Sequence, residues 1–367
     1  MRFSVRVNND LSVAELSALT VAAEAAGFDQ LWVSNDLLLR SAPVLAATLA
    51  ARTSRISLGI GVMNPYSVHP SELAMMAATL QEASGGRFLL GIGAGAEEFL
   101  AWAGIPRTAP LATTRAAVVT LRALLGHPDA DRSLLPAWAR EQVAALKFPL
   151  SRPVPVYVGA MGPKMLTMAG QHADGALPLL YPPETYAAAR AAVLSGTALS
   201  GTALSGAAPG GRDVDLPACF WVSLSDDPAQ ARAALAEKLA YYGASFAEPL
   251  LEQAGLRPAD FTEAARLAHS GQAAAAHIDD RMLSLGIAGD AGDVIARCRG
   301  LYDMGASHLS FGPPLGPDPV SAIGLLGERV LPALRALPEP AAVPAAGAQP
   351  AGTGPAGLSV PAERGRR

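Results

Sequence analysis

Ser34-Asn35-Asp36, Met63-Asn64-Pro65-Tyr66 and Met161-Gly162-Pro163-Lys164 are short segments whose residue types can bind or activate another molecule. Each follows an apolar run that reads as a strand. Asp36 brings a carboxylate. In water it titrates near pH 4, about three units below neutrality, so being protonated at pH 7, as a proton donor must be, costs about 4 kcal/mol. It is therefore a base or an acceptor unless burial raises it. Glu97 and Glu98 offer carboxylates just after Gly91-Ile92-Gly93-Ala94-Gly95, and equally suit a solvated helix start. Pro163 fits the first position of a helix, so free N–H groups and Lys164 together suit a phosphate. His69 before Pro70 reads equally as a loop anchor or a ligand contact.

At these positions the chain carries no Ser/His/Asp arrangement and no His, Asp and Glu cluster with metal-ligand spacing. Few ionisable groups among many glycines suit a site that holds a cofactor, which then carries the hard chemistry. Glycine recurs where a strand is expected: Gly59 and Gly61 lie inside ISLGIGVMNPYSVHP, residues 56–70. Each weakens a strand by roughly 0.5–1 kcal/mol relative to alanine, which points to a bulge or to the close approach of something else.

The elements that position these residues alternate. Strand-like runs cover residues 3–7, 30–33, 56–63, 88–93, 154–159, 175–180, 219–224 and 308–311, with helical patterns between them. Eight such units predict an α/β fold, a (β/α)8 TIM barrel, whose chemistry sits at the C-terminal strand ends. A doubly wound sheet is the alternative, but no GxGxxG opens the first βα unit. Gly27 reads as the C-terminal stop of the first helix, and Ser71 with Glu72 as the start of the third. The connection 129–149 is long, and the tandem repeat LSGTALSGTALSG, residues 194–206, reads as a surface loop. Residues 244–286 read as a helical insertion between strand seven and the last helix. The barrel domain is expected over 1–335, with the Ala/Pro/Gly-rich residues 336–367 a disordered tail.

With a net charge of −4, the chain has no basic field for nucleic acid. No apolar run suits a membrane span, and the N-terminus is no signal peptide. Cys219 and Cys298 lack CxxC spacing and read as small core residues in a reducing cytoplasmic compartment.

The blocks GFDQLWVSND (27–36), ISLGIGVMNPYSVHP (56–70), GGRFLLGIGAG (85–95) and VPVYVGAMGPKMLTMAGQHADGAL (154–177), with GIAGDAGDVIARCRGLYDMGASHLSFGPP nearer the C-terminus, occur in one order over residues 1–335. In this they resemble the luciferase-like monooxygenase superfamily. More narrowly they resemble its coenzyme F420-dependent branch, typified by methylenetetrahydromethanopterin reductase and the F420-type glucose-6-phosphate dehydrogenase. The resemblance implies a dimer of barrels in which a deazaflavin ring lies across the C-terminal mouth, backed by a cis peptide at Gly61–Val62. Asn64 would hydrogen-bond the ring, with Ala94 and Gly95 packed around it. Met161, Gly162, Lys164 and Met165 would hold the phosphate end. Asn35 and Asp36 fall where many relatives have an Asp-His pair, so Asp36 stands at the catalytic position. Ala96 replaces a glutamate that Glu97 follows one place on, which sets the chain apart from the sugar-phosphate enzymes. The implied reaction is hydride transfer between coenzyme F420 and a small organic substrate. The alternative is an FMN-dependent monooxygenase using reduced flavin and oxygen, and a third reading is a non-enzymatic carrier or sensor.

Overall fold

Alternation along the first strand, β1 (Arg2–Val7), sets its two faces. Phe3, Val5 and Val7 join the main apolar core with Leu16 and Leu19 of the helix Val13–Ala26. Arg2, Ser4 and Arg6 take the opposite face, which is the inside of a curled sheet. The computed structural model describes residues 1–141, 145–204 and 213–338.

The other principal strands are β2 (Gln30–Val33), β3 (Ser57–Met63), β4 (Phe88–Ile92), β5 (Val156–Ala160), β6 (Gly175–Pro178), β7 (Ala218–Leu224) and β8 (His308–Leu315). Among the described residues they run β7-β8-β1-β2-β3-β4-β5-β6, every neighbour parallel. Helices between the strands cover the outside, as parallel strands require. The short strand Ile287–Gly289 adds to the free edge of β7. The two ends of the curl meet at one parallel bridge, Gly175 opposite Asp215. There the Ala176 N–H donates to the Asp215 carbonyl at 2.9 Å, and the Asp215 N–H to the Asp174 carbonyl at 2.9 Å.

Local signals place most helix ends. Ser12 and Glu15 form a reciprocal cap at the first helix, and Gly27 ends it at φ 86°. The third helix, Pro70–Ala83, corrects the expected start: its cap is His69, whose Nδ1 accepts from the Ser71 N–H at 3.2 Å. Pro70 has no N–H and occupies the first helical position, which moves the boundary back from Ser71.

The repeat is a second correction. Leu194–Ser200 belongs to the helix Tyr186–Ser200, and Ala203–Leu204 pairs with Asp213–Val214. Thr197 is buried, and a Cβ on Gly196 would lie 2.0 Å from the Thr167 carbonyl oxygen. Two helices therefore approach closely at a repeat residue. Residues 205–212, the first two of which end the repeat, and 339–367, most of the expected tail, lie outside the described residues. Between Tyr242 and Ile287 the chain forms short helices, including Glu248–Gln253 and Thr262–His269.

The N-terminal end of the curl is filled by a buried polar network. Asp215 accepts from Tyr157 Oη at 2.9 Å, pairs with Arg2 Nη1 at 2.9 Å and faces His308 Nδ1 at 2.9 Å. His308 Nε2 faces Ser4 Oγ at 2.9 Å. Burial alone would raise the Asp215 carboxyl, but His308, Arg2 and the Tyr157 hydroxyl hold it down at about 2. Above this layer sit Trp32, Leu89, Tyr157, Leu177 and Cys219. Both cysteines are buried and unpaired, as expected.

Candidate active site

The glycines of β3, β4 and β5 have identifiable occupants. A Cβ on Gly59 would lie 2.3 Å from the Trp32 ring, so that glycine seats the indole. A Cβ on Gly93 would stand 2.6 Å from Val62 Cγ2, and one on Gly159 2.6 Å from Val62 Cγ1. On Gly91 it would meet the Ile60 carbonyl oxygen at 2.5 Å. These glycines make room for Val62, which turns inward toward the Trp32 layer. A cis peptide joins Gly61 to Val62, at the position the resemblance implies. Gly61 and Val62 stay half-buried while Ile60 and Met63 are buried, which leaves a small step facing the mouth.

Asn64 follows that step and is buried. Its Oδ1 accepts from the N–H groups of Tyr66 at 3.1 Å and Ser67 at 2.9 Å, and from Ser67 Oγ at 3.0 Å. The carbonyl of the side chain is thus spent on its own loop. Its Nδ2 makes no hydrogen bond among the described residues and is the group left for a ligand. Gly95 packs beside it at φ 70°, where a Cβ would touch Asn64 at 3.4 Å. Ala94 is buried, and its carbonyl accepts from Arg107 Nε at 3.3 Å. Glu97 begins the helix Glu97–Trp102; its side chain is 79% exposed and pairs with Arg107 at 3.4 Å. Glu98 is exposed too.

Past β5, the helix Pro163–His172 starts at Gly162 with no side-chain cap, so its first N–H groups are open. Met161 and Lys164 are exposed beside it, and Met165 is half-buried. Strands β3, β4 and β5 are neighbours, so Asn64, Gly95 and Gly162 line one arc of the mouth.

Asp36 lies on another arc, after β2. Asn9 clamps its loop: the Asn9 amide donates to the Asp36 carbonyl at 3.0 Å and to the Arg40 carbonyl at 2.8 Å, and Asn9 Oδ1 accepts the Asp36 N–H at 3.2 Å. Ser34 Oγ stands 3.1 Å from Asp36 Oδ2. Asn35, next in line, is half-buried. Burial raises the Asp36 carboxyl above its ordinary value, with Asp10 adding to this, against the pull of Ser34 and Lys238. That is the condition under which an aspartate can hold a proton nearer neutrality.

Lys238 and Arg6 escaped the sequence reading. Lys238, on the helix Pro228–Tyr242, lies 4.2 Å over the Tyr242 ring and 5.6 Å over Trp221. Burial lowers its ammonium to about 8, although Asp10 and Asp36 oppose the shift. Burial likewise pushes the Tyr242 phenol up to about 12, helped by the Asp36 carboxylate. A weak signal was available: the chain has only three lysines, Lys147, Lys164 and Lys238. For Arg6 the signal is strand parity, since it shares the inner face with Ser4. Tyr241 stacks on His269 at 4.4 Å, while His277 is exposed. Among the described residues no group of three His, Cys, Asp or Glu is placed to hold a metal, and no helix is long and apolar enough to cross a membrane.

The family described as luciferase-like monooxygenase matches residues 1–308. The 5,10-methylenetetrahydromethanopterin reductase of Methanolobus tindarius is 30% identical over 337 residues, covering 90% of this chain and 100% of the relative. That of Archaeoglobus fulgidus is 31% identical over 346 residues, covering 91% and 100%. An F420-dependent glucose-6-phosphate dehydrogenase of Nakamurella multipartita is 30% identical, covering 88% and 93%. In fold, the chain superimposes on a coenzyme F420-dependent tetrahydromethanopterin reductase from Methanopyrus kandleri with a TM-score of 0.77 at 24% identity, covering 90% and 98%. The match runs through β1 to the start of β8, the strands whose C-terminal ends build the mouth, and the chain belongs to the luciferase-like monooxygenase family.

Proposed function

We propose that this protein is a coenzyme F420-dependent oxidoreductase that moves a hydride between the deazaflavin and a small organic substrate, in the manner of the methylene-pterin reductases. The observation that carries the reading is end-to-end similarity to enzymes named for that cofactor or for that reduction. The mouth fits such a group. The half-buried Gly61–Val62 step offers a surface for a flat ring, Asn64 Nδ2 is a donor with no acceptor among the described residues, and the uncapped helix behind Gly162 with Lys164 suits a phosphate. Bound there, a deazaflavin supplies a two-electron hydride donor or acceptor and does not readily activate oxygen.

The remaining roles belong to the chain's own residues. Val62, seated by Gly91, Gly93 and Gly159, would support the ring. Ala94 and Gly95 close its edge, and Met161, Gly162 and Met165 flank the phosphate end. Asp36 would accept or hold a proton for the substrate, with Asn35 beside it, and Glu97 would be a rim contact held by Arg107. Trp221, Tyr242 and Phe246 wall off the side formed by residues 244–286, read as an insertion that shapes the substrate space. A homodimer in the cytoplasm completes the reading, with the barrel unit over 1–335. Oxygen uptake tests it. Protein with reduced F420 is expected to consume no oxygen above the free cofactor. Oxygen consumption with reduced FMN that yields an oxygenated product, which free reduced FMN does not form, would instead support the monooxygenase reading.

A further inference from the structure

Ser34 carries one hydroxyl proton and has two acceptors within its reach. Its Oγ stands 2.9 Å from Asn9 Oδ1 and 3.1 Å from Asp36 Oδ2, and a serine hydroxyl donates to one of them at a time. The oxygen itself is held in place. It accepts the Asn9 N–H at 3.1 Å, while the Ser34 N–H donates to the Val7 carbonyl at 2.9 Å. Asn9 is fully buried, and its side-chain amide and backbone N–H are all committed to the segment from Ser34 to Arg40. The two acceptors differ in what they lose when the hydroxyl turns away. Asn9 Oδ1 keeps the Asp36 N–H at 3.2 Å. Asp36 Oδ2 has no other donor among the described residues, and Asp36 Oδ1 has none at all. An ionised carboxylate is also the stronger acceptor, because a hydrogen bond to a charged oxygen is roughly twice as strong as one between neutral groups.

We propose that Ser34 is the positioning residue of Asp36. Its hydroxyl donates to Oδ2 of the ionised carboxylate, turns to Asn9 Oδ1 when the carboxyl is protonated, and leaves Asp36 Oδ1 as the oxygen that exchanges a proton with the substrate. The proton leaves an O–H or N–H of the substrate, whose electron pair stays behind, and bonds to Oδ1; the reverse step returns it. A protonated carboxyl accepts more weakly than an amide carbonyl, which is why the hydroxyl then turns to Asn9. In neither state is a buried group left without its partner, so the proton comes and goes at low cost. The charged and titratable groups acting on Asp36 from other elements are Asp10, in the loop after β1, and Lys238 and Tyr242 on the helix Pro228–Tyr242. Arg40, on the same loop as Asp36, turns its guanidinium to the Asp10 carbonyl. None of these hydrogen-bonds the carboxylate, so among the described residues Ser34 is its one direct donor. Ser34 pulls the carboxyl down against the rise caused by burial. The part played in the reaction rests on the reading that Asp36 exchanges a proton with the substrate.

The test is an NMR pH titration of the Asp36 carboxyl carbon in the cofactor-free, full-length protein, its signal identified as the one lost in Asp36→Asn. Ser34→Ala should raise the midpoint by about 0.5–1 pH unit, a roughly 3- to 10-fold tighter hold on the proton. Ser34→Thr, which keeps the hydroxyl, should titrate close to the unaltered protein. An unchanged midpoint in Ser34→Ala overturns the proposal. So does an equal shift in Ser34→Thr, which would make the effect one of packing. If Ser34→Ala fails to fold, Ser34→Cys takes its place, since a thiol is a weak donor. Its midpoint should also rise, and an unchanged one overturns the proposal. Adding oxidised F420 to the same samples, followed by fluorescence, separates this claim from the cofactor reading. Failure of F420 to bind removes that reading, while a raised midpoint in Ser34→Ala still supports the role of Ser34. Binding of F420 with no shift in Ser34→Ala overturns the proposal alone.

Discussion

The Asp36 carboxylate acts on both the Lys238 ammonium and the Tyr242 phenol, so its removal must be felt at both. Lys238 is expected to titrate at about 8, and with three lysines in the chain its side-chain NMR signal is resolvable. Asp36→Asn removes a carboxylate that favours the ammonium, so the titration should move lower still. A value near that of an ordinary lysine, or no response to Asp36→Asn, contradicts the geometry. The same shift has a stability consequence. In the folded state Lys238 releases its proton at a lower pH than the unfolded lysine, near 10.5. The unfolded chain then binds more protons between these values, so stability should rise over that window relative to Lys238→Gln. Denaturant midpoints across the window check this; parallel profiles would argue against a desolvated ammonium. Asp36 was legible because it follows a strand that carries Trp32. Lys238 was not, because a lysine within an amphipathic helix looks the same whether it faces solvent or an aromatic pocket.

At the scale of elements, the packing of Val62 joins three strands. Gly93→Ala should cost about 1–3 kcal/mol, since the added methyl meets a branched side chain in a packed wall. Val62→Ala in the same chain should recover much of that loss, and both variants should bind F420 more weakly. Thermal or denaturant unfolding of the two single variants and the double variant measures the coupling; strictly additive losses would mean that Gly93 does not seat Val62. Gly59, Gly61 and the cluster from Gly91 to Gly95 marked the right strands from sequence. Their immediate reason was hidden, because a glycine reveals that space is needed without naming the neighbour that fills it. The repeat failed for a related reason. Its Ser, Gly and Thr read as loop residues, whereas Gly196 lets one helix approach another at the Thr167 carbonyl.

For the whole molecule, closure rests on Asp215, whose backbone bridges to Gly175 and whose carboxylate joins Arg2, Tyr157 and His308. Its folded value of about 2 lies below the ordinary 3.8, so its contribution is complete above the unfolded value and is lost as pH falls through that interval. Asp215→Asn should remove that acid-side slope and destabilise by about 1–3 kcal/mol, since Tyr157, His308 and the half-exposed Arg2 lose the carboxylate they share. Unfolding profiles between pH 2 and 5 (roughly the range over which a paired carboxylate protonates) would show it. The alternation of strands and helices made the curled parallel sheet readable in advance. The three residues of Ile287–Gly289 were too few to show a strand period, and the network at Asp215 joins positions too distant in sequence to be seen as one group. The central claim, that the mouth is built for a deazaflavin, is tested most directly by fluorescence titration of the cofactor-free protein with oxidised F420 and with FMN. Saturable binding of F420 that weakens in Gly93→Ala, with FMN much weaker, is the predicted result; tight binding of FMN with none of F420 would contradict it.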